Sequence, residues 1–208
     1  MKIKTLDDFQ FAQKRVLLRV DINSPIDPQS KKIVNENRIK KSLPTINKLL
    51  NGGAKLAIIA HQDDVCGPAA LTAYNDLNYG EALIMGNLRY LTEEISTFEN
   101  DVKLTPEAMQ DCYLIRSLKG QFDLYVNEAF AAAHRNAPSM VAFQEFLPAC
   151  AGDLFVAEVS NLDKILKSPD KPSVFALGGA KISDAFGMMN QVLENGTADK
   201  IICSGITG

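Results

Sequence analysis

The sequence predicts an α/β protein built on a doubly wound parallel sheet. Two observations carry this. Short apolar runs alternate along the chain with segments whose apolar residues recur at helical spacing. Each run is then closed by polar or glycine residues, as expected of strands that are buried on both faces and end in a loop.

Residues 15–20 (RVLLRV) read as a buried strand ended by Asp21, and the turn-rich NSPIDPQSKK follows. From residue 36 the pattern predicts a helix with Ile39, Leu43, Ile46 and Leu50 on one face, stopped by Gly52 and Gly53. Residues 55–60 (KLAIIA) form the next strand, ended by His61. Pro68 opens a short helix, and Gly80 breaks to a third strand in EALIMGN. Thr105, Pro106 and Glu107 mark a helix start, with the helix running to about Leu118. Residues 122–126 (FDLYV) are a fourth strand, and residues 152–166 a long helix stopped near Pro169. SVFALGG is a fifth strand, a helix follows over residues 183–193, and KIICSG is a sixth strand.

Composition narrows the function classes. With 46% hydrophobic and 23% charged residues, the 208-residue chain has the make-up of a soluble globular protein. Its net charge of −3, with no block of like charge, excludes general nucleic-acid binding. Cys66, Cys112, Cys150 and Cys203 form no C-x-x-C pair, and with two histidines no zinc site is expected. Reduced thiols in a reducing compartment are the simple reading. The N-terminal MKIKTLDDFQ lacks an apolar signal core, and no stretch approaches membrane-spanning length.

In open parallel sheets ligands bind beyond the carboxyl ends of the strands. The residues there are Asp21 and Asn23, His61, Asn87 and Arg89, residues 127–135, and residues 178–181. Cations or potential cations stand past separate strands of one sheet, which is the signature of an anion site. In LLRVDINSP, Asp21 and Asn23 suit a substrate hydroxyl and carboxylate, or else simply an Asx turn. Arg38 opens a helix, where the dipole favours anions; a bound anion nearby would explain it, and a solvated surface arginine is the alternative. NEAFAAAHRNAPS combines small residues, which allow close approach, with Arg135, whose planar fork matches phosphate or carboxylate. The alternative there is a tight turn whose arginine pairs with an acid such as Glu128. LGGAKISDAFG sets Gly178, Gly179, Ala180 and Lys181 between a strand and a helix, where backbone amides and one lysine could hold an anion. It is neither a Walker A loop nor a G-x-G-x-x-G fingerprint, and alone it is weak.

Taken in order, LLRVDINSP, NENRIKKSLPTI, KLAIIAH, GNLRY, VNEAFAAAHRNAPS, LPACAG and LGGAKISDAFG resemble the phosphoglycerate kinases along the whole chain. DINSP, FAAAHR and KISDAFG are similar to variants of the archaeal-type branch. The resemblance implies two Rossmann-like domains that close about a hinge. It also implies a cytoplasmic glycolytic enzyme moving a phosphoryl group reversibly from 1,3-bisphosphoglycerate to ADP, giving 3-phosphoglycerate and ATP with Mg2+. A monomer is expected, with a dimer the alternative, and neither nucleic acid nor membrane as partner. Residues 1–151 would be the phosphoglycerate-binding domain, 152–168 the interdomain helix and 169–208 the incomplete start of the nucleotide-binding domain.

By the same resemblance, Asp21 and Asn23 would bind the glycerate end. Arg38, His61, Arg89 and Arg135 would bind its carboxylate and phosphate. Arg38 and Lys181 would be catalytic, stabilising the phosphoryl group from either side. Gly178, Gly179, Ala180 and Lys181 would contact the nucleotide; no metal ligand is assigned.

The chain also departs from the family. The strand-end histidine is normally followed by an Arg-Pro loop, a helix and a strand, whereas here AHQ runs into DDVCGPAAL. A segment is therefore expected to be missing between Gln62 and Asp63. VNDAF has become VNEAF at Glu128, and Ala185 stands where many members carry a second lysine, as archaeal-type sequences also do. The chain stops where the nucleotide domain has barely begun, so as it stands it is expected to be inactive alone. A truncated, non-catalytic anion-binding relative is the alternative reading.

Overall fold

A computed structural model describes residues 3–60, 66–178 and 182–205, with backbone alone at 182–185. Two compact units form, Met1–Val156 and Ala157–Gly208. The first is an α/β sandwich around five parallel strands in the order β3-β2-β1-β4-β5. The strands are β1 (Arg15–Arg19), β2 (Lys55–Ala60), β3 (Ala82–Asn87), β4 (Leu124–Asn127) and β5 (Ala149–Ala151). The helices are α1 (Asn37–Asn51), α2 (Pro68–Asn75), α3 (Ser96–Val102), α4 (Tyr113–Leu118), α5 (Pro138–Val141) and α6 (Asp153–Lys167), which continues into the second unit.

Strand residues alternate between two cores, because successive side chains leave a strand on opposite faces. Val16, Leu18 and Val20 join Leu56, Ile58, Leu124, Val126 and Leu49 of α1 on one face. Leu17, Ala57, Ile59, Met85 and Tyr125 join residues of α2 and α4 on the other. Continuous apolar strands follow directly from this, since neither face meets water. The predicted doubly wound sheet is thus present.

Three expectations are corrected. On α1, Ile46 and Leu50 pack against the core as expected, but the fully buried residues are Ser42, Thr45 and Leu49, while Leu43 is 42% exposed. Polar residues occupy these positions because each is satisfied: the Ser42 hydroxyl donates to Arg38 O at 3.1 Å, and Thr45 Oγ1 accepts from Asp153 N at 2.9 Å. The helix expected from Thr105 to Leu118 is broken into a 3-10 turn at Ala108–Asp111 and α4, with Cys112 extended between them. The Glu93 carboxylate accepts from Tyr113 N at 2.7 Å and Leu114 N at 3.2 Å, capping the new start. The short strand β5 and helices α3 and α5 were not foreseen.

The second unit pairs β6 (Val174–Leu177) in parallel with β7 (Lys200–Cys203), linked by α7 (Ile182–Glu194). Among the described residues no helix is long and apolar enough to cross a membrane.

Leu18→Ala, at a fully buried position in the central strand, should cost about 2–5 kcal/mol in urea unfolding. Leu43→Ala should stay within about 0.5 kcal/mol of the parent. A large loss at Leu43 would contradict the α1 orientation.

Candidate anion site

Register makes the strand ends level. Arg19 of β1 lies opposite Ile59 of β2 and Asn127 of β4, and Ala60 of β2 lies opposite Asn87 of β3. The loops after these strands therefore leave the sheet along one edge. Three of them open in the same way, with an acid or amide side chain accepting the N–H two residues on. Asp21 Oδ1 accepts from Asn23 N at 3.3 Å, Asn87 Oδ1 from Arg89 N at 2.9 Å, and Asn127 Oδ1 from Ala129 N at 3.0 Å. Such Asx turns redirect the chain out of the strand.

Arg38 stands in the first turn of α1 and its Nη1 meets Asp21 Oδ2 at 2.7 Å. Its partner at the helix N-terminus is thus a carboxylate of the neighbouring loop. Arg38 is half exposed, while Asp21 is largely covered. Arg89 is exposed, and among the described residues no carboxylate pairs with it.

Arg135 is more deeply held. Its Nε meets Glu99 Oε2 of α3 at 3.1 Å, and Glu99 Oε1 accepts from Asn136 N at 2.6 Å. The turn's arginine thus pairs with Glu99, not with Glu128. Glu99 fixes one side of the guanidinium only. Among the described residues Arg135 Nη2 is buried without a hydrogen-bond partner. Leaving such a donor unsatisfied costs about 1–3 kcal/mol, which an anion would recover.

Beneath this edge lies a buried network that the sequence reading missed. Arg19 and Glu94 are nearly inaccessible. Ser139 donates to Glu94 through its backbone N–H and its hydroxyl, both at 2.6 Å. Arg19 Nη1 donates to Val20 O, its Nε reaches Ser139 Oγ at 3.4 Å, and the Tyr125 hydroxyl donates to Ser139 O at 2.7 Å. Burial pushes the Glu94 carboxyl above its usual range, against the Ser139 hydrogen bonds and the positive charge of Arg19 and Arg135. Burial likewise pulls Arg19 down. The available signal was an arginine inside the apolar run LLRV, since a charge there must find partners.

Asp21, Asn23, Arg38, Arg89 and Arg135 thus all stand at one edge. His61, with residues 61–65, lies outside the described residues, as do Gly179, Ala180 and Lys181. Gly178 follows β6 in the second unit, where an added Cβ would come within 2.9 Å of Ser204 Oγ.

A parallel α/β domain with arginines beyond its strand ends has an edge whose chemistry suits a small anionic ligand. The family is more specific. The profile of the phosphoglycerate kinases matches residues 6–67 and 62–208, and the chain belongs to that family. The phosphoglycerate kinase of Methanothermus fervidus is 36% identical over 234 aligned positions, covering 99% of this chain and 56% of the relative. That of Methanococcus maripaludis is 38% identical over 97% of the chain and 56% of the relative. The crystal structure of the Pyrococcus horikoshii enzyme superposes with a TM-score of 0.88 at 32% identity, over 98% of this chain and 55% of that one. The chain therefore spans about half the length of the relatives it matches.

Glu94→Ala should cost about 3–5 kcal/mol in chemical unfolding, because it leaves Ser139 buried without its acceptor and removes the negative charge near buried Arg19. Glu99→Ala, at a more accessible pair, should cost clearly less. Equal losses would show that the buried network does not carry the edge.

Proposed function

We propose that this chain is the phosphoglycerate-binding half of an enzyme that transfers a phosphoryl group reversibly between 1,3-bisphosphoglycerate and ADP, yielding 3-phosphoglycerate and ATP. The observation that carries the reading is Arg135 Nη2, a buried guanidinium nitrogen without a partner among the described residues, on the same strand-end edge as Arg38 and Arg89. Family membership supplies the identity of the anion.

Arg135, Arg89 and His61 would hold the carboxylate and phosphate of the glycerate. Asp21 and Asn23 would hold its hydroxyl end, with Asp21 released from Arg38 as the ligand enters. Arg38 would then face the moving phosphoryl group from this side, and Lys181 would face it from the nucleotide side together with amides at Gly178, Gly179 and Ala180. Phosphoryl transfer needs charge neutralised on the transferring oxygens and little covalent help, which suits a set of placed cations. Mg2+ would arrive with the nucleotide and neutralise its phosphates. Among the described residues no group of three His, Cys, Asp or Glu side chains suits a metal. The protein would act in the cytoplasm.

We also infer that a segment is absent between Gln62 and Asp63. Two profile matches overlap at residues 62–67 rather than one running through, and the alignment to the Methanothermus fervidus relative, at 234 positions, is longer than this 208-residue chain. Residues 1–151, 152–168 and 169–208 would be the substrate domain, the linking helix and the start of the nucleotide domain.

In a coupled assay with ADP and 1,3-bisphosphoglycerate the full-length protein should turn over, and Arg38→Ala should lower kcat far more than it raises KM. A change in KM alone would remove Arg38 from the transition state. If 3-phosphoglycerate binds without turnover, the protein is a non-catalytic binder. Intact mass of the native protein tests the junction: a value well above 22.7 kDa is expected, and one that matches it would refute the missing segment.

A further inference from the structure

Glu128 begins the loop that carries Arg135, yet its side chain turns away from the cations. It is 1% exposed. Its carboxyl oxygens lie against the first turn of α6, at 3.3 Å from Leu154 N and 3.5 Å from Phe155 N. The Thr45 hydroxyl of α1 donates to it as well, while Thr45 Oγ1 accepts from Asp153 N. Gly152, just before α6, leaves no room between them: an added Cβ would lie 1.9 Å from Glu128 Oε2 and 3.2 Å from Thr45 Cγ2. The backbone closes the joint, with Glu128 N–H donating to Arg19 O at 2.8 Å and Gly152 N–H to Asn127 O at 2.9 Å. One carboxyl group is thus packed against α1, the end of β4 and the start of α6.

Two of those elements carry the anion-site arginines. Arg38 opens α1, and Arg135 lies on the loop that Glu128 begins. We propose that Glu128 is a positioning residue that sets the Arg38 helix against the Arg135 loop by clamping both to the first turn of α6. This rests on the anion-site reading above and deepens it.

Its charged surroundings make the clamp responsive to protons. Asp153 on α6 opposes ionisation of Glu128. Lys48 on α1 is engaged elsewhere, with Asp7 at 2.8 Å and Asp153 at 3.4 Å. Arg19 on β1 turns its guanidinium to Val20 and Ser139. Among the described residues no cation pairs with Glu128. Burial therefore pushes its carboxyl up from 4.5 to about 7, against the hydrogen bonds from Thr45 and the helix amides. The folded protein binds this proton more tightly than the unfolded chain. The resulting stabilisation is full below the unfolded value near 4.5 and is lost as pH rises through about 7.

The test uses full-length protein as wild type, Glu128→Gln and Glu128→Asp. Dissociation constants for 3-phosphoglycerate are measured by calorimetry, and amide exchange of Leu154 and Phe155 is followed, both from about pH 5.5 to about pH 8.5. Taking the ratio of variant to wild type cancels the titration of the ligand phosphate and of the histidines. The ratio for Glu128→Gln should change by about fivefold or more across neutral pH. Wild-type protection factors at the two amides, which remove the intrinsic pH dependence of exchange, should change over the same range while those of Glu128→Gln stay flat, and Glu128→Asp should restore the pH dependence. Normal binding with a flat ratio overturns the positioning role and leaves the anion-site reading intact. Protection factors unaffected by pH or by substitution overturn the clamp itself. If the wild type does not bind 3-phosphoglycerate, the anion-site reading fails and takes the positioning role with it, whatever the amides do.

Discussion

A parallel sheet covered on both faces leaves one place where polar side chains can gather around a ligand, the edge where its strands end. The rest of this structure depends on those ends being level. Alternating apolar side chains bury both faces of β1, β2 and β4, and that burial fixes the register, because a slip of one residue would send every side chain to the opposite core. Register in turn brings the loops carrying Asp21, Arg89 and Arg135 out along one edge.

A cluster of arginines repels itself, so the edge needs anchoring charge. Three carboxylates provide it. Glu94, buried with Ser139 and close to Arg19, forms a floor that water cannot screen. Glu99 grips Arg135 from one side and leaves Nη2 open. Asp21 holds Arg38, whose own side chain is half exposed. The buried charges give rigidity, and on the proposed reading the half-exposed Arg38 is the one that turns to an incoming anion.

The legible parts of the sequence were those with a strong local signal. RVLLRV and KLAIIA declared strands through unbroken apolar runs, and Pro68 and Gly52 declared helix limits. Asp21, Arg89 and Arg135 were placed at the sheet edge by the simple fact of following strands, and Arg38 was singled out by its place in the first turn of a helix. What stayed hidden depends on partners distant in the chain. The break at Cys112 needs the Glu93 cap about twenty residues upstream. The α1 face was misjudged at Leu43 because Ser42 and Thr45 look like surface residues until their hydroxyl partners are known. Ser139 shows no sign in sequence of receiving Arg19, and Glu128 was visible only as a departure of unclear effect.

The central claim is that the level strand ends of the first unit form a phosphoglycerate site. Its most direct test is a crystal structure of the full-length protein grown with 3-phosphoglycerate. The account predicts the ligand beyond the ends of β1 to β4, with Arg135 Nη2 donating to one of its anionic groups and Arg38 drawn from Asp21 toward it. Density for the ligand elsewhere, or an edge that stays unchanged at saturating ligand, would contradict it.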